Sequence, residues 1–402
     1  MSLTLLLDLD NTLLANDIDT FLPVYLRAFS EYISTHIEPE KFVRALMAGT
    51  KSMVDNQRPD CTLEEIFRSV FFPTTGMDKG EFESLADHFY ARIFPSLQEL
   101  TNPLPEVIQF VEMAGERGYR LVIATNPLFP RTAILQRLAW AGLPVEKYNF
   151  DLVASFETFH FAKPNPAFFA ETLGRIGWPE GPVVVVGDDL ERDIASAEQL
   201  GLSTYWVDHQ NSEPGSASEN PAMSGDMDYL MPWLESMSNG DLVPEYSSIS
   251  ALLAILRSTP AVLDSLCRDV SEGTWTKRPS ANEWCPTEIL CHLRDVEQEV
   301  NLPRLRKVLG EEDPFLPGED TDPWAEEREY ICQDGKQALY SFTVERMRLL
   351  DILTKLPDRS WQRSARHAIF GRTHLKELVG IVAGHDRMHI QQFFRDLGSD
   401  PA

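Results

Sequence analysis

Along the first half of the chain, short runs that are apolar at nearly every position alternate with segments of helical period. Residues 3–9, 120–125 and 182–187 are such runs, the pattern of strands covered on both faces in a parallel sheet. Residues 204–207 read as a further strand. Between the first two runs lies a long, mostly helical stretch. A crossover between parallel strands needs only about a dozen residues, so the excess predicts an inserted helical subdomain over residues 16–100.

The texture changes after Asp208. Residues 209–226 are polar and rich in Gly, Pro and Ser, a surface loop by composition. A short apolar segment, 228–233, is expected to pack back on the first domain, and a second polar link over 236–248 places the boundary between domains 1–240 and 241–402. Beyond it stand four long helical patterns, 249–270, 287–309, 335–355 and 373–397, with little period-2 alternation. Pro286 in the first turn of the second and Thr373 as the cap of the fourth are start signals. Four helices of that length predict a bundle, so the fold class is α/β followed by all-α.

Composition narrows the function. A chain of 402 residues exceeds what one core usually organises. Its 43% hydrophobic and 24% charged residues are those of a soluble protein. No run is expected to reach the roughly 20 apolar residues of a membrane span. The leucine-rich start lacks a basic n-region and meets Asp8 early, which speaks for a buried strand over a signal peptide. The five cysteines form no CxxC pair, so a reducing cytoplasm fits better than a disulfide framework. Formal net charge is -26, with 37 acidic against 16 basic residues up to position 248 and 25 against 20 after it. That field opposes nucleic acid and anionic membranes, so any phosphate-bearing ligand would have to be captured by short-range features.

Such features are present. Asp8-Leu9-Asp10-Asn11-Thr12 follows the first strand, putting two carboxylates at its C-terminal end, where open α/β sheets keep their sites. One can attack phosphorus while the other serves as acid and then base. Thr125-Asn126 ends the second strand and offers a hydroxyl and backbone N–H groups to phosphate oxygens. Lys163, before Pro164, offers a point charge. Gly187-Asp188-Asp189-Leu190-Glu191-Arg192-Asp193 closes another strand with acids suited to Mg²⁺. Asn11, Thr12 and Asn126 are candidate substrate contacts, and Lys51 and Arg58 are candidate cations of the inserted region.

In this order the segments resemble the four motifs of the haloacid dehalogenase superfamily, over residues 1–235. The resemblance implies a doubly wound sheet, a nucleophile at Asp8, a general acid/base at Asp10, phosphate contacts from Thr125 and Lys163, and Mg²⁺ held by Asp8, the Asp10 carbonyl and Asp188 with support from Asp193. Asp189 stands where many members have Ser. The inserted helices would be the family's cap over the site. Asp10 favours phosphatase chemistry over dehalogenation, because an alkoxide leaving group needs a proton and a halide does not. A small phosphorylated metabolite is the implied substrate.

In the second half, His385 and His389 lie one helical turn apart on a face shared with Leu378, Ile381, Val382 and Phe393. His292 lies beside Ile289, Leu293 and Val296. Three inward imidazoles could form a metal site with open positions. With Glu283-Trp284-Cys285-Pro286 before it, this half resembles the DinB-like four-helix family over residues 249–397. The likeness implies that His292, His385 and His389 bind Zn²⁺ or Ni²⁺. Some relatives are thiol transferases, in which the metal activates a low-molecular-weight thiol, while others have no known reaction. Cys285 and Cys291 read as buried reduced thiols.

Overall fold

The structure is a computed structural model that describes residues 2–208, 223–268, 270–281 and 283–398. The chain divides into two compact units, one of Met1–Thr172 with Pro179–Glu245 and one of Leu173–Trp178 with Tyr246–Ala402.

The first unit is built on a parallel sheet whose strands lie in the spatial order Leu152–Val153, Arg120–Ile123, Thr4–Leu7, Val183–Gly187, Ser203–Val207, Met223–Gly225. Thr4–Leu7 and Val183–Val186 are buried at every position, as the unbroken apolar runs require. The order reverses between Thr4–Leu7 and Val183–Gly187, so the first strand's C-terminal end opens at a topological switch point, where doubly wound sheets bind ligands. Leu7 pairs with Ile123 on one side and Val186 on the other, which aligns the three strand ends.

Between the first two strands the chain forms helices Ile18–Tyr32, Pro39–Val54, Leu63–Thr75 and Lys79–Arg92. A two-stranded ribbon, Leu14–Ala15 against Asn102–Pro103, ties the two ends of this insertion together. Its interior is aromatic, with Phe29 and Phe89 stacked 4.0 Å apart and Phe42 edge-on to Phe29 at 4.9 Å. The expected loop lies outside the described residues over 209–222. Its end does not stay irregular: Met223–Gly225 adds a strand beside Ser203–Val207, because an edge strand needs only backbone pairing. Residues 228–233 fall within helix Met227–Ser236.

The second unit contains helices Ile249–Cys267, Pro286–Val296, Gly335–Leu353 and Leu375–Gly398. Helix Ile249–Cys267 is long and apolar enough by composition to cross a membrane, contrary to the expectation that no run would be. Two thirds of its apolar window is buried inside the fold, so the apolarity serves the core. The second helix is not uniform: a π turn over Glu297–Asn301 separates it from Leu302–Gly310. Thr373 is not a helix cap. It lies in strand Gly371–His374, and its hydroxyl binds the Glu377 carboxylate at 2.8 Å instead of a backbone N–H. This strand pairs antiparallel with Ser364–His367, which pairs with Phe315–Leu316, a small sheet that the helical reading missed.

Arg346, fully buried, fixes the π turn to the last helix. Its guanidinium holds Glu297 through Nε at 2.6 Å and Asp386 through both terminal nitrogens, one contact at 3.1 Å, and donates to the Leu256 carbonyl at 3.1 Å. Thr259 Oγ1 adds a hydrogen bond to Asp386 at 2.9 Å. Removing the cation strands two buried carboxylates. Arg346→Ala is therefore expected to destabilise the second unit by about 3–5 kcal/mol, read as a drop in its denaturant midpoint. A midpoint unchanged from wild type would refute the network's structural role.

Candidate functional site

Asp8 follows strand Thr4–Leu7 directly, and its backbone N–H donates to Val186 O at 2.9 Å, so the carboxylate is aimed by the sheet itself. Lys163 Nζ donates to Asp8 Oδ1 at 2.7 Å and also to Asp193. Carboxylate oxygens of Asp8, Asp188 and Asp193 lie within 4.8 Å of one another. Gly187 makes this approach possible: a Cβ there would stand 2.3 Å from Asp193 Oδ2.

The crowding of carboxylates and their burial raise the proton affinity of Asp8 and Asp188. Burial pushes Asp8 well above the usual carboxylate range, with the Lys163 charge opposing and the Asp193 and Asp188 charges adding. Asp188 is pushed up to about 6 by burial and by Asp193 and Asp189. Burial works against the Lys163 ammonium, but Asp193 and Asp8 outweigh it and hold its pKa above the usual value. An all-oxygen, charge-rich donor set short of positive charge fits a hard divalent cation such as Mg²⁺.

The Lys163 loop is itself anchored. Asn126 Oδ1 accepts from Lys163 N at 3.2 Å, while its amide reaches Lys163 O at 3.5 Å. The buried Glu171 carboxylate takes the backbone N–H groups of His160 and Phe161 at 3.1 and 3.2 Å and the His160 ring at 2.8 Å. Asn126 thus holds the lysine loop as well as lining the cavity.

Asp10 is not among the three clustered acids, although its charge reaches Asp8. Its carboxylate binds Arg137 Nη1 at 2.5 Å and Asn16 Nδ2 at 2.6 Å, at the edge of the cavity. Among its neighbours, Arg137 went unseen in the sequence. It is fully buried under Phe129, 4.6 Å from the ring centroid, and its Nε and Nη2 have no hydrogen-bond partner among the described residues. Asp189 is also not gathered with the acids; it accepts from Glu191 N and Arg192 N, both at 2.9 Å, and caps the following turn.

A cavity of about 660 Å³ joins these groups to the inserted helices; Asp8, Asn11, Thr125, Lys163 and Asp188 line one end. Thr12 does not line it, since its hydroxyl is buried in the turn. Lys51 and Arg58 do not line it either, being paired at the surface with Asp55 and Asp60. The insertion's lining cation is Arg68.

In the second unit, His292 Nε2 and His389 Nε2 each lie 3.1 Å from His385 Nε2. Trp284 stacks on His389 with 5.8 Å between centroids and stands 4.7 Å from His292. Gln392 Oε1, 3.1 Å from His389 Nδ1, can accept a hydrogen bond from that nitrogen's N–H and so leave the Nε2 lone pair bare. Three converging neutral imidazoles fit a borderline metal ion. Cys285 and Cys291 are buried outside this cluster, and burial pushes their thiols up to about 12 and about 11, which keeps them protonated.

Burial, with the neighbouring imidazoles adding, depresses His292 to about 2 and His389 to about 3; burial and Arg346 lower His385 to about 4. The unfolded chain therefore binds protons that the metal-free fold refuses. The stability at stake is whole above the ordinary histidine pKa of about 6.5 and is lost as pH falls below it. Chelator-stripped protein is expected to show a falling Tm of the second unit from about pH 7 to about pH 5, with a shallower fall in His389→Phe. Parallel pH profiles for the two proteins would contradict this.

Residues 3–201 match the family model of haloacid dehalogenase-like hydrolase, and residues 255–393 that of the DinB superfamily. The chain is 30% identical over 122 residues to the glyceraldehyde 3-phosphate phosphatase of Methanopyrus kandleri, covering 30% of this chain and 50% of that protein. To the phosphoglycolate phosphatase of Mesorhizobium japonicum it is 27% identical over 133 residues, 33% of this chain and 56% of the other. The chain spans about half the length of these curated relatives. YfiT from Bacillus subtilis, a four-helix bundle of unusual topology, is 19% identical with a TM-score of 0.35 and covers 38% of this chain and 87% of its own. Residues 3–201 belong to the haloacid dehalogenase-like hydrolases, and residues 255–393 to the DinB superfamily.

Proposed function

We propose that the first unit hydrolyses a small phosphate monoester by way of an aspartyl-phosphate on Asp8. The observation that carries this reading is the convergence of Asp8, Asp188, Asp193 and Lys163 at the switch point of the sheet. Asp8 attacks phosphorus, and Lys163 and Thr125 hold the phosphoryl oxygens. Asp10, at the cavity edge on Arg137, protonates the departing alkoxide and then takes a proton from the water that releases phosphate. Asp8, the Asp10 carbonyl and Asp188 would hold Mg²⁺, with Asp193 in support. When bound, that ion offsets the charge of carboxylate and phosphate as they approach.

The helical unit is assigned a second divalent metal, Zn²⁺ or Ni²⁺, on His292, His385 and His389. A cavity of about 170 Å³, mostly apolar, reaches His385, room for a small ligand such as a low-molecular-weight thiol. The net charge of -26 supports an enzyme of small metabolites without nucleic-acid or membrane partners, and the five free cysteines support a reducing cytoplasm.

Wild type with Mg²⁺ is expected to turn over p-nitrophenyl phosphate. Asp8→Asn should abolish this, and Asp10→Asn should lower kcat by about 10²–10⁴. Turnover surviving in Asp8→Asn would remove the nucleophile from the account. For the helical unit, elemental analysis of full-length protein should find a transition metal near one per chain, reduced in His385→Ala; equal sub-stoichiometric metal in both would defeat the triad assignment.

A further inference from the structure

The cavity over Asp8 is far larger than a phosphate ester of a two- or three-carbon alcohol needs, and its walls change character with distance from the sheet. At the phosphate end they are carboxylates, Thr125 and Lys163. Beyond it they come from the inserted helices and present a large carbon surface, with Leu22, Leu26, Met53, Val54, Phe67 and Phe72. Tyr25 and Tyr90 also line this part, but their hydroxyls bind each other at 2.8 Å, so their polar tips are already satisfied.

The charges there are mostly negative, and the cations among them are paired. Arg68 lines the cavity, yet it is held by Glu64 at 2.6 Å and Glu83 at 2.7 Å, and both glutamates line the cavity with it. Asp19 and Asp87 add two further carboxylates. Lys163 is taken by Asp8 and Asp193, and Arg192 lies 3.6 Å from Asp189. A substrate with a second anion, whether carboxylate or phosphate, would enter a field of acids in which the lining cations are already engaged.

We propose that the ester cleaved at Asp8 is that of an uncharged, apolar alcohol, alkyl or aryl, whose hydrocarbon part fills the insertion's side of the cavity. The inference rests on the phosphatase reading and adds to it the substrate class. A volume of about 660 Å³ has the size of sites for ligands well beyond a small sugar acid. Each methylene moved from water into such walls contributes about a three- to four-fold gain in affinity.

The test uses the full-length, Mg²⁺-loaded protein with two matched series. Non-hydrolysable n-alkylphosphonates, ethyl to hexyl, are titrated by calorimetry; the corresponding n-alkyl phosphates and phosphoglycolate are assayed for phosphate release. The expected result is a Kd that falls about three- to four-fold per methylene, a parallel rise in kcat/KM, and phosphoglycolate below butyl phosphate. Leu26→Gln should flatten the chain-length dependence, and Val54→Thr, a smaller change, should flatten it in part. A Kd independent of chain length, or preference for phosphoglycolate, overturns the inference while leaving the hydrolase intact. If the phosphonates bind with the expected slope but no ester is hydrolysed, the apolar ligand preference is upheld and the phosphatase reading is what fails.

Discussion

The first unit turns on one electrostatic arrangement: a buried ammonium, Lys163, held between Asp8 and Asp193 while Asp188 stands within reach of both acids. A buried charge without a partner is costly, so the acids cannot be treated one at a time. Lys163 offsets part of their repulsion and the backbone around it is tied down to do so. Asn126 grips the lysine's own peptide, and Glu171 collects the N–H groups just before it. The parallel sheet supplies the rest, because Leu7 is in register with Val186 and the two strands therefore release Asp8 and, one residue further on, Asp188 at neighbouring levels.

The second unit solves a different problem with the same means. Burial with the Arg346 charge lowers the pKa of His385 and keeps its imidazole neutral. Arg346 in turn is balanced by Glu297 and Asp386, the latter adjacent in sequence to His385. The π turn that carries Glu297 is the kind of local irregularity that accompanies functional sites, and here it lets a carboxylate meet a guanidinium from another helix.

Much of this was legible in the chain. Asp8 and Asp188 could be found because each ends or follows an apolar run, Lys163 from its place before Pro164 in the order of motifs, and His385 with His389 because one helical turn separates them. Arg137, Glu171 and Arg346 could not. Each is a charged residue in a helix whose partner lies on another element, Asp10 for Arg137 and Glu297 for Arg346, and periodicity carries no information about such pairs. Residues 364–374 were missed for another reason. Their two strands of four residues, Ser364–His367 and Gly371–His374, are too short to compete with a helical reading of the flanks. Lys51 and Arg58 were chosen by charge alone, and intrahelical or local acids claim them, whereas Arg68 was not singled out.

The acid cluster and its lysine make a direct demand that can be measured without any substrate. Calorimetric titration of Mg²⁺ into the full-length protein at neutral pH should show binding that Asp188→Ala weakens severely and that Asp189→Ala leaves near wild type, since the Asp189 carboxylate caps a turn. Equal Mg²⁺ affinity in wild type and Asp188→Ala, or no binding in wild type, would contradict the claim that these acids are gathered to hold a cation.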